Sequence, residues 1–137
     1  MTAKIFGMEY FRATIRDTPG ATYQLLHKLA EEKVNMLAFR AIPMGPEVAQ
    51  VEIFPEVPQN LIRAARSHDF ELSGPFSAFL IRGDDQLGAL TEIHRKLYDS
   101  DINVYTASGV TDGRGGFGYI VYVRPEDYLR AAQVLGV

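Results

Sequence analysis

The chain lacks several features that mark particular classes of protein. None of its 137 residues is cysteine, which excludes disulfides, thiolate zinc sites and cysteine nucleophiles and fits a reducing cytoplasm. No apolar run approaches the roughly 20 residues of a membrane-spanning helix, and the N-terminal residues lack the apolar core of a signal peptide. The formal charge of -3 offers no basic surface for nucleic acid or an anionic membrane. These absences predict a cytoplasmic protein with neither a membrane nor nucleic acid as partner.

The composition is that of an ordinary folded domain. Hydrophobic residues make up 47% of the chain and charged residues 23%, so the bulk of it is predicted to be ordered. A length of 137 residues suits one domain of usual size or two very small ones.

An internal repeat decides between these two possibilities. Residues 17–36 read DTPGATYQLLHKLAEEKVNM and residues 85–104 read DQLGALTEIHRKLYDSDINV. The two segments align without a gap at an offset of 68 residues, which matches Asp17, Gly20 and Asn35 with Asp85, Gly88 and Asn103. The agreement predicts two units of similar fold, residues 1–74 and residues 75–137.

Two later segments extend the repeat. Val48–Phe54 matches Phe117–Val123 one residue further on, and the sequences LIRAA and YLRAA are taken to pair Leu61 with Leu129. Units of this size bury little apolar surface alone, so they are expected to pack against each other or against a second chain.

The first unit reads as a βαββαβ arrangement. Alternation of apolar and polar residues predicts a half-buried strand at Tyr10–Arg16, and the DTPG turn supplies a capping side chain and a proline for the start of a helix. The remaining elements are predicted at Val34–Ile42, Val48–Phe54, Gln59–Ser67 (a helix) and Phe70–Ser73. The fold class is therefore α+β, with ferredoxin-like units whose antiparallel sheets carry helices on one face.

The second unit lacks a fourth strand of its own. Strands are predicted at Ser77–Arg82, Ile102–Val110 and Phe117–Val123, and helices at Gln86–Asp99 and Pro125–Val134. The apolar segment Ala3–Phe6 is the candidate to fill the vacant edge, either in the same chain or from a partner.

The uncharged strands of the second unit predict a homodimer. Phe117–Val123 and Ser77–Ile81 carry no charge on either face, whereas Gln50 and Glu52 alternate with apolar residues in the first unit. A sheet covered on one side only normally alternates, so a second copy is expected to cover the other face.

Several motifs resemble functional signatures without the right context. Gly113–Gly118 matches G-x-G-x-x-G, but it lies between two predicted strands and opens no helix, which favours a hairpin over a dinucleotide site. The stretch Arg114–Tyr122 imitates the aromatic strand of an RNA-recognition motif, a module that shares the βαββαβ order. An inserted glycine and the acidic net charge count against RNA binding, which stays as an alternative.

No catalytic or metal-binding pattern is present. His27, His68 and His94 occupy unrelated positions of the repeat and have no metal-ligand spacing. The sequence contains no P-loop or G-x-S-x-G motif, and no nucleophile with a base beside it. We therefore expect a protein that is not an enzyme and that uses no cofactor and no metal.

The residues that recur in both units suit a small zwitterion. Each strand-to-helix turn carries an acidic residue and a glycine, and the next strand opens with an asparagine. Amides of a first helical turn favour a carboxylate. An asparagine amide offers both donors and an acceptor.

At these residues the sequence resembles the ACT domain, a small regulatory module that senses amino acids. Asp17-Thr18-Pro19-Gly20 looks like the family's D-x-P-G turn, and Lys33-Val34-Asn35-Met36 looks like its G-V-N-I strand start. The second copy has Leu87 where the family has proline, and Lys33 and Asp101 stand where it has glycine, so the first turn is the better match.

The resemblance implies ligand pockets at the interface between paired ACT units. The turn of one unit and the asparagine-bearing strand of its neighbour would form each pocket. The implied ligand-binding residues are Asp17, Thr18, Pro19, Gly20, Ala21, Asn35, Asp85, Gln86, Leu87, Gly88, Ala89 and Asn103. The resulting hypothesis is a regulatory sensor that binds a small molecule, an amino acid, and signals to an enzyme or regulator. The alternatives are an RNA-binding module and a structural adaptor that binds no ligand.

Overall fold

A computed structural model describes residues 3–137. It contains six strands, four α-helices and a short 3-10 helix within that range. The strands are β1 (Lys4–Arg16), β2 (Met36–Pro43), β3 (Val48–Pro55), β4 (Ser73–Asp84), β5 (Val104–Thr111) and β6 (Gly116–Val123). The α-helices are α1 (Ala21–Glu31), α2 (Pro58–Ser67), α3 (Thr91–Asp99) and α4 (Tyr128–Leu135), and the 3-10 turn Pro125–Asp127 precedes α4.

The chain forms two compact units, which we call the first and the second unit. The first unit is Glu9–Phe76, and the second combines residues 3–8 with Ser77–Val137. The expected division at residues 74 and 75 assigns residues 3–8 to the first unit, whereas these residues pack in the second. The hydrogen-bonded order of strands is β2-β3-β1-β4-β6-β5.

The second unit borrows its last strand from the N-terminal segment of the same chain. β1 lies beside β4 in the strand order, and Ala3 and Ile5 pack against the apolar core of the second unit. Lys4 and Phe6 alternate with them and are exposed. β1 is therefore 13 residues long, where the alternation at Tyr10–Arg16 predicted only its second half. The expected ferredoxin-like α+β units, with one strand borrowed, are confirmed.

Each unit has its own core between the sheet and its helices. In the first unit, Val51 and Ile53 of β3 and Leu29 of α1 are fully buried. In the second, Val121 of β6 and Ile81 of β4 are fully buried beside Leu97 of α3. The buried residues of α1 are Leu25 and Leu29, and those of α3 are Ile93 and Leu97.

The pairing of strands corrects the offset predicted for the repeat. Arg16 pairs with Val48 in the first unit, and Asp84 pairs with Gly116 in the second. The offset of 68 thus continues through β3 and β6, and the predicted offset of 69 is wrong. A slip of one residue exchanges the two faces of a strand, so only the offset of 68 places Val51 and Tyr119 in equivalent core positions.

The second helices follow a different offset. Leu61 of α2 is fully buried, whereas Leu129 of α4 is 82% exposed, so their predicted equivalence is wrong. Tyr128 takes the place of Leu61, because it packs against the core of the second unit. Arg124 alone connects β6 to the helical segment at Pro125, whereas Glu56 and Val57 connect β3 to α2. This connection is one residue shorter in the second unit, so the offset between the second helices is one residue smaller.

Two other boundaries differ from those predicted. Phe70–Ser73 is not a separate strand: Phe70 and Leu72 lie outside the sheet, and one continuous strand, β4, begins at Ser73. α3 begins at Thr91 instead of Gln86, because residues 87–90 form a turn around Gly88.

The ends of α1 and α3 explain an apparent departure from the family pattern. Lys33 and Asp101 have φ angles of 59° and 57°, in the left-handed region that glycine adopts most easily. The next amide, of Val34 or Ile102, donates to the carbonyl of Leu29 or Leu97 at 2.9 Å, which closes a Schellman motif. The backbone required by the family's glycine is retained although the glycine is not.

Glycine at these two positions should therefore stabilise the protein. A left-handed conformation costs a residue with a Cβ roughly 1–2 kcal/mol, part of which glycine returns as entropy of the unfolded chain. We expect Lys33→Gly and Asp101→Gly each to raise the free energy of unfolding by about 0.5–1 kcal/mol, measured by urea denaturation. Equal or lower stability in both variants would contradict this assignment of strain.

Candidate functional site

The two strand-to-helix turns share a backbone conformation that favours glycine. Gly20 and Gly88 have φ angles of 90° and 76°, and Gly20 occupies the N-cap of α1. No side chain of the turns caps α1 or α3 by a hydrogen bond, so the predicted cap by the DTPG turn is wrong. The first backbone amides of both helices therefore donate to no capping side chain.

Both turns border a cleft. In the first unit, the cleft has a volume of about 320 Å³ and extends from the end of β1 to α1. Of the predicted site residues, Thr18, Pro19 and Ala21 line it, together with Gln24 and Lys28 on α1. Asp17 stands outside the lining, where its amide donates to the carbonyl of Glu47 at 2.9 Å.

The cleft of the second unit is wider, about 500 Å³. The predicted residues that line it are Asp85, Gln86, Gly88 and Ala89. Leu87 is fully exposed at the tip of the turn and does not line the cleft. Thr91 and the ends of β5 and β6 complete the walls.

A tyrosine that the sequence did not single out forms one wall of the second cleft. The Tyr119 hydroxyl lies 2.7 Å from Nε2 of His94 on α3, and burial raises the pKa of this phenol above its usual value. A Cβ on Gly109 would come within 2.7 Å of the Tyr119 ring, so glycine is required for β5 to pass the ring. Tyr119 lies on the same face of β6 as the core residues Val121 and Val123, but both faces of this strand are apolar, so the sequence did not show which face is the core face.

The glycine-rich segment between β5 and β6 is an ordered hairpin loop. Oδ1 of Asp112 accepts the amides of Arg114 at 2.6 Å and Gly116 at 3.0 Å, and these bonds lower the pKa of the Asp112 carboxyl. The loop also receives the amide of Asp85, which donates to the carbonyl of Gly115 at 2.7 Å. G-x-G-x-x-G here opens a strand and not a helix, as expected for a hairpin.

The two asparagines lie far from the turns of their own units. β3 runs from Val48, which pairs with the residue before the first turn, to Pro55, which pairs with Met36 beside Asn35. Seven strand steps of about 3.3 Å separate these ends by about 23 Å. β6 separates Asn103 from Asp85 in the same way. The structure therefore gathers the turn residues within each unit but does not bring the asparagine to them.

Of the three aromatic residues of β6, Phe117 and Tyr119 face the helices, whereas Tyr122 lies on the other face of the strand and is buried there. Tyr119 belongs to the core of the second unit, and Phe117 packs against it. An RNA-recognition strand needs its aromatic rings on the face of the sheet that the helices leave uncovered. The positions of Phe117 and Tyr119 give no support to the RNA-binding alternative.

The other two histidines each lie near one carboxylate. Nε2 of His27 lies 3.7 Å from a Glu31 carboxylate, and Nε2 of His68 lies 3.3 Å from that of Glu32. Within residues 3–137 no three side chains of the His, Cys, Asp and Glu types are grouped to hold a metal ion. In that same range no helix has both the length and the apolar character needed to cross a bilayer.

One arginine in each unit connects its two helices, and the sequence analysis identified neither of them. Arg63 on α2 donates to the carbonyl of Glu32, the last residue of α1's cap, at 3.1 Å. Arg130 on α4 donates in the same way to Ser100, the cap residue of α3, and at 2.9 Å to Asp127. The arginine shared by LIRAA and YLRAA was the available signal. These contacts hold the helices whose first turns border the clefts.

Comparison with solved structures identifies proteins of the same fold. Protein BT0572 from Bacteroides thetaiotaomicron matches with a TM-score of 0.80 and 13% identity, covering 96% of this chain and 88% of the other. The regulatory subunit of aspartate kinase from Thermus thermophilus, in a ligand-free form, matches with a TM-score of 0.66 and 13% identity, covering 99% and 95%. The corresponding subunit from Thermus flavus matches with a TM-score of 0.57 and 12% identity, covering 99% and 95%.

No protein-family model matches the sequence, and none of the curated proteins matches it. At such low identity the structural likeness shows the fold. The ACT-type fold predicted from the repeated turns is confirmed.

Proposed function

We propose that this protein is a regulatory sensor that binds a small molecule, most simply an amino acid, at the strand-to-helix turns. The observation that carries the proposal is the repetition of one geometry: each turn borders an open cleft at the start of a helix. The Thermus proteins of the same fold are regulatory subunits of an enzyme, which supports a binding role over a catalytic one.

The chemistry of the turns suits an α-amino acid. Amides at the start of α1 and α3 lack side-chain caps and can receive a carboxylate, which the helix dipole also favours. In the second cleft, Asp85 provides a carboxylate for an ammonium group, and Leu90 and Val110 provide apolar surface for a side chain. The required charges and the apolar wall are thus present together.

The separation of turn and asparagine suggests how a second copy takes part. Asn35 and Asn103 lie about 23 Å along the strands from the turns of their own units, and both are exposed. We propose that a homodimer brings the asparagine-bearing strand of one copy to a turn of the other. Ligand binding then stabilises the dimer, and this change of population is the signal passed to an enzyme or regulator.

A thermal-shift screen against the twenty amino acids tests the proposal. A ligand at about 100 times its dissociation constant adds roughly 2.7 kcal/mol of stability, which corresponds to a rise in Tm of roughly 10 °C for a chain of this size. We expect at least one amino acid to produce such a rise, and to increase the molar mass measured by light scattering. A flat screen with a copurifying protein would favour the structural adaptor.

Two matched variants assign the shift to a cleft. Ala21 and Ala89 are equivalent in the repeat, and each lines one of the turn clefts. Ala21→Phe fills the first cleft and Ala89→Phe fills the second, so each variant serves as the control for the other. The shift should disappear in one variant and persist in the other, or fall by part in each if both turns bind. A full shift in both variants would refute the assignment to the turns.

A further inference from the structure

A cleft of about 630 Å³ lies on the face of the second unit's sheet that is opposite α3 and α4, and we call it the open-face cleft. It shares Val110, Thr111, Phe117 and Gly118 with the second turn cleft, and its other residues come from β1, β4 and the hairpin between β5 and β6. Lys4 and Arg82 belong to the face that alternates with the core residues Ile5 and Ile81. Neither residue takes part in the sites proposed above.

Gly118 forms the floor of this cleft, and the described chain does not require a glycine there. It pairs with Arg82 on one side and Val110 on the other, in the interior of the sheet. Its φ angle is not in the left-handed region, and apart from its two chain neighbours no atom of residues 3–137 lies within 4 Å of the place a Cβ would occupy. A glycine inside a strand weakens it and often marks a place where a ligand approaches the backbone closely.

Two cations stand beside this floor. The Arg82 guanidinium lies over the ring of Phe6 at 5.2 Å from its centroid, which holds the charge at the sheet surface. Among residues 3–137, neither Lys4 nor Arg82 forms an ion pair with a carboxylate. Both cations are exposed and therefore available to a carboxylate from solution.

Two carboxylates balance these charges at the hairpin end of the cleft. Asp84 follows Arg82 by two residues on the same face of β4, so their Cα atoms are about 7 Å apart. Asp112 is held in place by the amides of Arg114 and Gly116, which favour its ionised form. The cleft thus separates positive charge from negative charge over the dimensions of a small molecule.

We propose that the open-face cleft binds a small zwitterion with an aliphatic body, held by charged residues that do not line the turn clefts. Arg82 and Lys4 receive its carboxylate, Asp84 and Asp112 receive its ammonium group, and its body lies on Gly118 against Val110. This arrangement satisfies all four charges of the cleft at once. A simple anion or cation satisfies only one pair and faces repulsion from the other.

An NMR titration of the full chain tests this site with three matched probes. L-valine carries both charges, 3-methylbutanoate lacks the ammonium group, and isobutylamine lacks the carboxylate. We expect L-valine to shift the amide resonances of Arg82 and Gly83 to saturation, and each single-charge analogue to bind at least about tenfold more weakly. No saturable shift, or equal binding of the three probes, would overturn the proposal.

Two variants separate this site from the turns. Gly118→Val fills the cleft where there is space for its side chain, and it should raise the melting temperature while abolishing the shift caused by L-valine. Ala89→Phe fills the turn cleft and should leave this shift unchanged. Binding retained in Gly118→Val, or lost in Ala89→Phe, would assign the effect to another place. Because Arg82 and Gly83 line the open-face cleft but not the turn cleft, this result does not depend on whether the turns bind.

Discussion

A chain that begins at Glu9 is expected to lose the cooperative folding of its second unit. Residues 3–8 form the edge strand beside β4, and Ala3 and Ile5 pack on the core that contains Phe79 and Val121. Removing this segment breaks several backbone hydrogen bonds at about 1 kcal/mol each and exposes apolar surface, so the loss should exceed about 3 kcal/mol. Hydrogen exchange should show that the amides of β4 and β6 lose protection, while the amides in the helices of the first unit remain protected.

Point variants and a peptide make the truncation specific. Ile5→Asp places a charge against the core and should destabilise the second unit by about 2–4 kcal/mol, whereas Lys4→Asp on the exposed side should change stability by less than about 0.5 kcal/mol. A synthetic peptide of residues 1–8 added to the truncated chain should restore protection. A truncated chain as stable as the parent would show that the borrowed strand is dispensable.

The second large effect is expected at Glu52, the one charged residue that is buried among residues 3–137. Glu52 is 4% exposed and lies between Arg12 and Arg40 on the neighbouring strands, at 3.5 Å and 3.7 Å from their guanidinium nitrogens. Removing the carboxylate leaves two half-buried cations facing each other across β3. Breaking a buried ion pair typically costs about 3–5 kcal/mol, so Glu52→Ala should lower the free energy of unfolding by about 3 kcal/mol.

An exposed ion pair gives the control for this variant. Glu92 pairs with Arg95 on the surface of α3, where solvent screens the pair, so Glu92→Ala should lower stability far less than Glu52→Ala in the same urea titration. Glu52→Gln keeps the size and the acceptor oxygen but loses the charge, and should fall between the two. Equal effects for Glu52→Ala and Glu92→Ala would show that the contacts of Glu52 with Arg12 and Arg40 stabilise the protein no more than a surface ion pair does.

The order of elements was predictable from the sequence because the repeat constrained both units at once. Alternation identified the core residues of β3, and the shared Asp and Gly located both turns. The length of β1 was not predictable, since the partner of residues 3–8 lies more than 70 positions away, beyond any local pattern. The offset at β6 failed for a different reason: Phe117–Val123 is apolar on both faces, so the sequence contains no alternation to fix the register.

The candidate site was predictable only in part. Repetition found the turns, and the structure explains why two of the pattern's glycines could be lost: Lys33 and Asp101 adopt the required backbone at some cost. The walls of the clefts escaped sequence reasoning, because His94 and Tyr119 meet across 25 residues and only packing brings them together. The distance between each asparagine and its own turn likewise depends on strand direction, which the motif does not record.

Calorimetry on the parent chain and its two cleft-filled variants, with the amino acid that gives the strongest thermal shift, decides whether the strand-to-helix turns are the sensing sites. We expect saturable binding to the parent chain, with binding lost when Ala21→Phe and Ala89→Phe are combined. Each single variant then shows how much of the binding one turn contributes. Binding to the double variant with unchanged affinity and stoichiometry would contradict the claim that the strand-to-helix turns are the sensing sites.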